Sequence, residues 1–113
     1  MAKFYRYETV EIPITFTPSG ILEGYSHIII SLFQAGIQLD KTEEDLEIDT
    51  SQDKITLVLN QEETSLFVGG EENDTKKVVI QVNIYYNNNK RSVSTKGEIY
   101  VYDNLYDRVI IDE

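Results

Sequence analysis

One histidine, His27, is the only imidazole in the 113-residue chain, and it stands at the head of the apolar run Ile28-Ile29-Ile30. A serine nucleophile needs such a base oriented beside it, and no Gly-x-Ser-x-Gly element presents one. His27 is therefore expected to be a structural or surface residue. With no cysteine, a thiol nucleophile, a disulfide framework and a Cys-based metal site are all excluded. Gly69-Gly70 is followed by Glu71-Glu72, where a phosphate-cradling loop would need a lysine. The chain is expected to be no enzyme and to carry no cofactor.

Two groups of side chains still offer chemistry. Asp45, Glu47 and Asp49, together with Glu71, Glu72 and Asp74, are the calcium candidates, because calcium takes oxygen ligands. Neither segment has EF-hand spacing. Acids alternating along one strand face also stand about 7 Å apart at each step, too far for two of them to share an ion. The expectation is no metal. The second group is aromatic, with eight tyrosines and no tryptophan. Tyr100 and Tyr102 fall on the face opposite Ile99 and Val101; with Tyr85 and Tyr106 they form the candidate surface for protein contact or for stacking on a sugar.

Strands must position these groups, since Ile, Val, Leu and Tyr lead the apolar residues and Ala and Met are scarce. Val10, Ile12, Ile14 and Phe16 alternate with wetter residues, and Pro13, which cannot donate to a ladder, places this strand at an edge. Ser26 to Phe33 turns through Gln34-Ala35-Gly36 into Ile37-Gln38-Leu39 as a hairpin. A charged connection over 40–45 leads to a short strand, Leu46 and Ile48, whose outer face is acidic. Thr50 to Asp53 turns into Ile55 to Leu59. Asn60 and Glu63 then cap a helical crossover that joins strands of two different sheets.

After a glycine-led loop over 69–75, a strand runs from Lys76 to Tyr86, turns through Asn87 to Lys90 and returns from Arg91 to about Tyr102. Setting Tyr86 opposite Arg91 pairs Ile84 with Val93, Val82 with Thr95, Ile80 with Gly97 and Val78 with Ile99. The same register sends Gln81, Asn83, Ser94 and Lys96 together to the other face, and a slip by one would bury Gln81 and Asn83. These elements make the expected class all-β: a two-sheet antiparallel β-sandwich of immunoglobulin-like kind, about seven strands with one short helical crossover, with a small barrel as the alternative. Residues 1–113 are one domain, with an N-terminal arm over 1–7 and a tail over 104–113 that adds an edge strand or docks on a neighbour.

The formal net charge is −10, and residues 40–74, with twelve acids and two lysines, hold all of the imbalance. Such a field repels a phosphate backbone, so nucleic acid is not an expected partner. No stretch approaches the length of a membrane span, and the amino terminus lacks the apolar core of a signal peptide, so the chain is expected to be made in the cytosol.

A set of short strings carries a family likeness: Leu57-Val58-Leu59-Asn60-Gln61-Glu62-Glu63-Thr64, the aromatic Phe67, Val79-Ile80-Gln81-Val82, and Phe33-Gln34-Ala35-Gly36 followed by Lys41. Over roughly residues 28–110 the chain resembles small β-rich proteins of prophage tail modules in Gram-positive bacteria. More distantly it is similar to the N-terminal β-sandwich domain of phage baseplate upper proteins. The resemblance implies a non-enzymatic, virion-associated assembly module, in contact with other tail or baseplate proteins and with copies of itself. The alternative expectation is an extracellular carbohydrate-binding or adhesion module.

Overall fold

A computed structural model describes residues 3–17, 19–70, 76–86 and 92–103. The expected turn over 87–90, most of the loop over 69–75 and the tail over 104–113 lie outside the described residues. In chain order the elements are β1 (Lys3–Tyr5), β2 (Val10–Thr15), β3 (Tyr25–Gln34), β4 (Ile37–Thr42), β5 (Leu46–Asp49), β6 (Lys54–Leu59), the short helix α1 (Gln61–Ser65), β7 (Lys76–Tyr86) and β8 (Ser92–Tyr102). They form two sheets, one in the order β1-β8-β7-β3-β4 and the other β2-β6-β5. The fold is all-β.

Period-two burial explains why the sheets face each other. Ile28, Ile30 and Leu32 of β3 and Val78, Ile80, Val82 and Ile84 of β7 turn one way, and Ile55, Leu57 and Leu59 of β6 meet them from the smaller sheet in a single core. The expected register of the long pair holds: Ile84 pairs with Val93, Val82 with Thr95, Ile80 with Gly97 and Val78 with Ile99. On the other face Gln81 Nε2 donates to Ser94 Oγ at 3.0 Å, and Ser94 Oγ lies 2.7 Å from Asn83 Oδ1. Hydrogen bonding thus reinforces the register that burial selects.

Pro13 sits where its missing N–H costs nothing. Phe16 N–H donates to Asp53 O across to β6, so by alternation the odd-numbered β2 residues point to the free flank. The β3–β4 hairpin closes through Ala35 and Gly36 alone, both with positive φ (33° and 88°), the pattern of a type I′ turn. Beyond it β4 continues to Thr42, so the charged connection expected over 40–45 is half strand and half a 3-10 turn over Glu43–Asp45. Asp40 extends the strand because its side chain pairs across to Ser31 of β3. The arm contributes β1, which lies parallel to β8 with Phe4 buried opposite Val101.

Helix α1 carries the expected capping box: Asn60 Oδ1 accepts from Glu63 N at 2.9 Å, and Glu63 Oε1 accepts from Asn60 N at 3.0 Å. Glu63 Oε2 also meets Lys41 Nζ of β4 at 2.5 Å, with both side chains largely buried. Gln34 pairs in both directions with the main chain of Val68, which fastens the segment after α1 to the larger sheet. Gly69 then passes so close to β8 that an added Cβ would lie 2.7 Å from Asp103 N and 2.8 Å from Tyr102 C. Among the described residues no helix is long and apolar enough to cross a membrane.

Two stability outcomes follow from these contacts. Glu63→Ala removes the cap and strands the Lys41 ammonium; the expected loss is about 3 kcal/mol, with Glu63→Gln in between because it keeps an acceptor for the Asn60 N–H. Gly69→Ala forces main chain apart from main chain, for an expected loss of about 1–3 kcal/mol. Urea melts of the three variants measure both effects.

Candidate functional site

The outer face of the larger sheet collects the aromatic candidates, but not into one patch. At one end Tyr100 and Tyr102 of β8 lie beside β1, where Tyr102 and Tyr5 stack at 5.6 Å between ring centroids with a 36° tilt. Lys3 Nζ stands 5.6 Å and 5.7 Å from the Tyr5 and Tyr102 rings, and Lys77 Nζ stands 5.7 Å from the Tyr100 ring. Tyr85 is on the same face of β7 but pairs with Ser92, eight positions from Lys77, which pairs with Tyr100. That spacing is about 26 Å. Tyr106 lies outside the described residues. Lys3 and Tyr5, which sequence reasoning passed over, complete the aromatic end; three alternating residues are too short a signal to mark a strand.

The acidic candidates are likewise dispersed. Asp45 belongs to a 3-10 turn, and Glu47 and Asp49 point outward from β5. Asp49 Oδ1 accepts from Ser51 N, Gln52 N and Ser51 Oγ, capping the turn that follows, and the Ser51 hydroxyl before all else holds its carboxyl below the usual range. Glu71, Glu72 and Asp74 lie outside the described residues, and among those described no three His, Cys, Asp or Glu side chains gather as metal ligands. The expectation that no serine carries a catalytic spacing, Ser-x-x-Lys included, is corrected by Ser51 and Lys54, which have it; the Ser51 hydroxyl is 2.6 Å from Asp49 Oδ1 in an exposed turn.

His27 is exposed on β3 and pairs its Nδ1 with Glu43 Oε1 at 2.9 Å, while Glu43 Oε2 accepts from Ile28 N at 3.1 Å. The carboxylate takes the place of a strand where β4 has ended. The hydrogen bond to His27, then bonds to its own and to Ile28 backbone, hold the Glu43 carboxyl below its ordinary value.

A further concavity lies elsewhere. A groove of about 480 Å³ runs between β2 of the smaller sheet and β8 of the larger, lined by Ile12, Ile14, Phe16, Ile21, Val93 and Thr95 among others. One wall is the main-chain edge of β8. Tyr102 O accepts Arg6 N–H on the β1 side, whereas Val101 O accepts Gly70 N–H on the opposite side. Alternation therefore aims the main-chain groups of Ser92, Ser94, Lys96 and Glu98 at the β1 side, but β1 reaches only Tyr100 to Tyr102. Among the described residues no strand pairs that flank from Ser92 to Glu98.

The Glu43 pairing has a pH signature. A carboxyl depressed in the folded state adds stability that is fully present above its unfolded value and lost as pH falls through the folded one. Thermal melts across the acid range are expected to show Glu43→Gln flattening the wild-type loss, and His27→Ala doing so in part. Comparison with protein-family models, curated proteins and solved structures finds no match for this chain.

Proposed function

We propose that this chain is a non-enzymatic assembly module that joins another chain, a second copy of itself or a different tail or baseplate protein, by main-chain pairing along the free flank of β8, in the setting of a phage tail or baseplate. The observation that carries it is the run from Ser92 to Glu98, whose outer flank no strand pairs among the described residues, beside an apolar groove. An exposed strand flank offers affinity through its hydrogen-bonding groups, and adjacent pockets offer specificity through alternate side chains. Tyr100 and Tyr102, farther along β8, and Lys3 and Tyr5 of the adjoining β1 extend the contact area. The phage setting rests on the resemblance over residues 28–110. It would place the protein in a virion after synthesis in the bacterial cytoplasm.

The strand order supports the immunoglobulin-like form of the sandwich as well. Sheet β2-β6-β5 matches strands B, E and D of that architecture, and β3, β7 and β8 match C, F and G, with β4 as C′.

Co-expression with the proteins encoded beside it, followed by native mass spectrometry, tests the reading. The expected result is a stoichiometric complex that Lys96→Pro weakens at least tenfold while the thermal melt stays close to wild type, because the Lys96 N–H faces the free flank. Neighbouring genes without tail-assembly products, and no complex with any of them, would overturn it.

A further inference from the structure

We infer that the free flank of β8 pairs with the β8 flank of a second copy, antiparallel about a two-fold axis through Thr95; this deepens the assembly reading above and rests on it. The outer flank of β2 carries Pro13. The β4 edge carries the inward-pointing Lys41, tied to Glu63. The β5 edge is four residues long and presents Glu47 and Asp49 outward, and β1 is three residues long. Proline, inward charge, acidic side chains and brevity each deter pairing with another chain. From Ser92 to Glu98, β8 has no proline, no inward charge and seven residues of length: its inward positions are Val93, Thr95 and Gly97, and its outward charges, Lys96 and Glu98, are of opposite sign.

The register follows from what each alternative would juxtapose. An axis through Lys96 sets two ammonium groups directly opposite each other. An axis through Gly97 requires Ser94 to pair with Tyr100, where β1 already lies. Through Thr95, Ser94 pairs with Lys96 and Ser92 with Glu98 of the second copy, so that every outward main-chain group from 92 to 98 is used, in roughly eight hydrogen bonds. Val93 and Thr95 of the second copy then lie over the groove between β2 and β8 and cover its partly exposed lining, Ile14, Phe16 and Ile21.

Charge points the same way. The described acids of residues 40–70 sit on β4, β5, α1 and their connections, and β4 is the edge of the larger sheet remote from β8. Pairing through β8 therefore keeps the two acidic flanks as far apart as the sheet allows, and fields separated by more than a Debye length of about 8 Å are largely screened at physiological salt. This is an isologous interface of the kind that closes as a dimer.

The absence of cysteine makes the test direct. Thr95 and its symmetry mate would be a non-hydrogen-bonded pair with Cα atoms about 4.5 Å apart, within disulfide reach. Under mild oxidation Thr95→Cys is expected to give a disulfide dimer at least tenfold faster than Thr42→Cys, an exposed position on the remote β4 edge. Sedimentation equilibrium is expected to show a wild-type dimer and a Lys96→Pro monomer. A monomeric wild-type chain, or Thr95→Cys cross-linking no faster than Thr42→Cys, would overturn the self-pairing. Should Lys96→Pro fail to fold, the cross-linking rates decide alone. A chain that is monomeric by itself yet forms the complex with its encoded neighbours would remove this inference and leave the assembly reading standing.

Discussion

One carboxylate couples the two sheets. Glu63 closes the first turn of α1 through Asn60 with one oxygen and holds the Lys41 ammonium of β4 with the other. Because α1 begins one residue after β6 ends, the smaller sheet is thereby tied to the far edge of the larger one. The pair is largely buried, so its net contribution to stability is modest, yet neither charge tolerates loss of the other. What the interaction supplies is geometry: it fixes where the chain leaves one sheet, and so where Phe67 enters the core and Gly69 passes against β8.

A second anchor sets the opposite side of the groove. Asp53, buried and in the left-handed conformation at φ 50°, accepts from Gly20 N with both oxygens at 2.9 and 3.0 Å. The Tyr86 hydroxyl donates to Ile21 O of the same crossing. The segment from β2 to β3 is thus pinned from both sheets, and Ile21 is held at the groove wall. Aspartate tolerates that backbone angle better than most residues, which is why a charged side chain can occupy a buried corner whose carboxylate meets main-chain donors.

Much of the fold was legible because the rules that write it act locally. The β7–β8 register could be read from Gln81, Asn83, Ser94 and Lys96, since a one-residue slip changes the face of every side chain. Asn60 and Glu63 announce their cap three residues apart, and Pro13 announces an edge. Asp53 and Tyr86 could not be read in the same way: Asp53 lies in a run that looks like an ordinary turn, and Tyr86 continues an alternating strand. Their partners are 33 and 65 residues away in sequence. The aromatic end was half legible for the same reason, with Tyr100 and Tyr102 marked by alternation but Lys3 and Tyr5 brought in by a parallel pairing across nearly the whole chain. Tyr85 illustrates the converse error, since a shared face does not imply proximity along an eleven-residue strand.

The asymmetry between the sheets gives the surface its character. Three strands cannot cover the inner face of five, so the lining that β2 leaves uncovered opens beside β8 and not beside β4, where the Lys41–Glu63 pair and α1 close the gap. From Ser92 to Glu98, β8 carries one lysine, Lys96, and one acid, Glu98, whereas the described acidic residues of 40–70 crowd the closed side. Low charge, main-chain groups that no strand pairs among the described residues, and apolar side chains therefore coincide along one flank, which favours bringing another strand there. The closed side combines the opposite properties, so association is directed by where the smaller sheet ends.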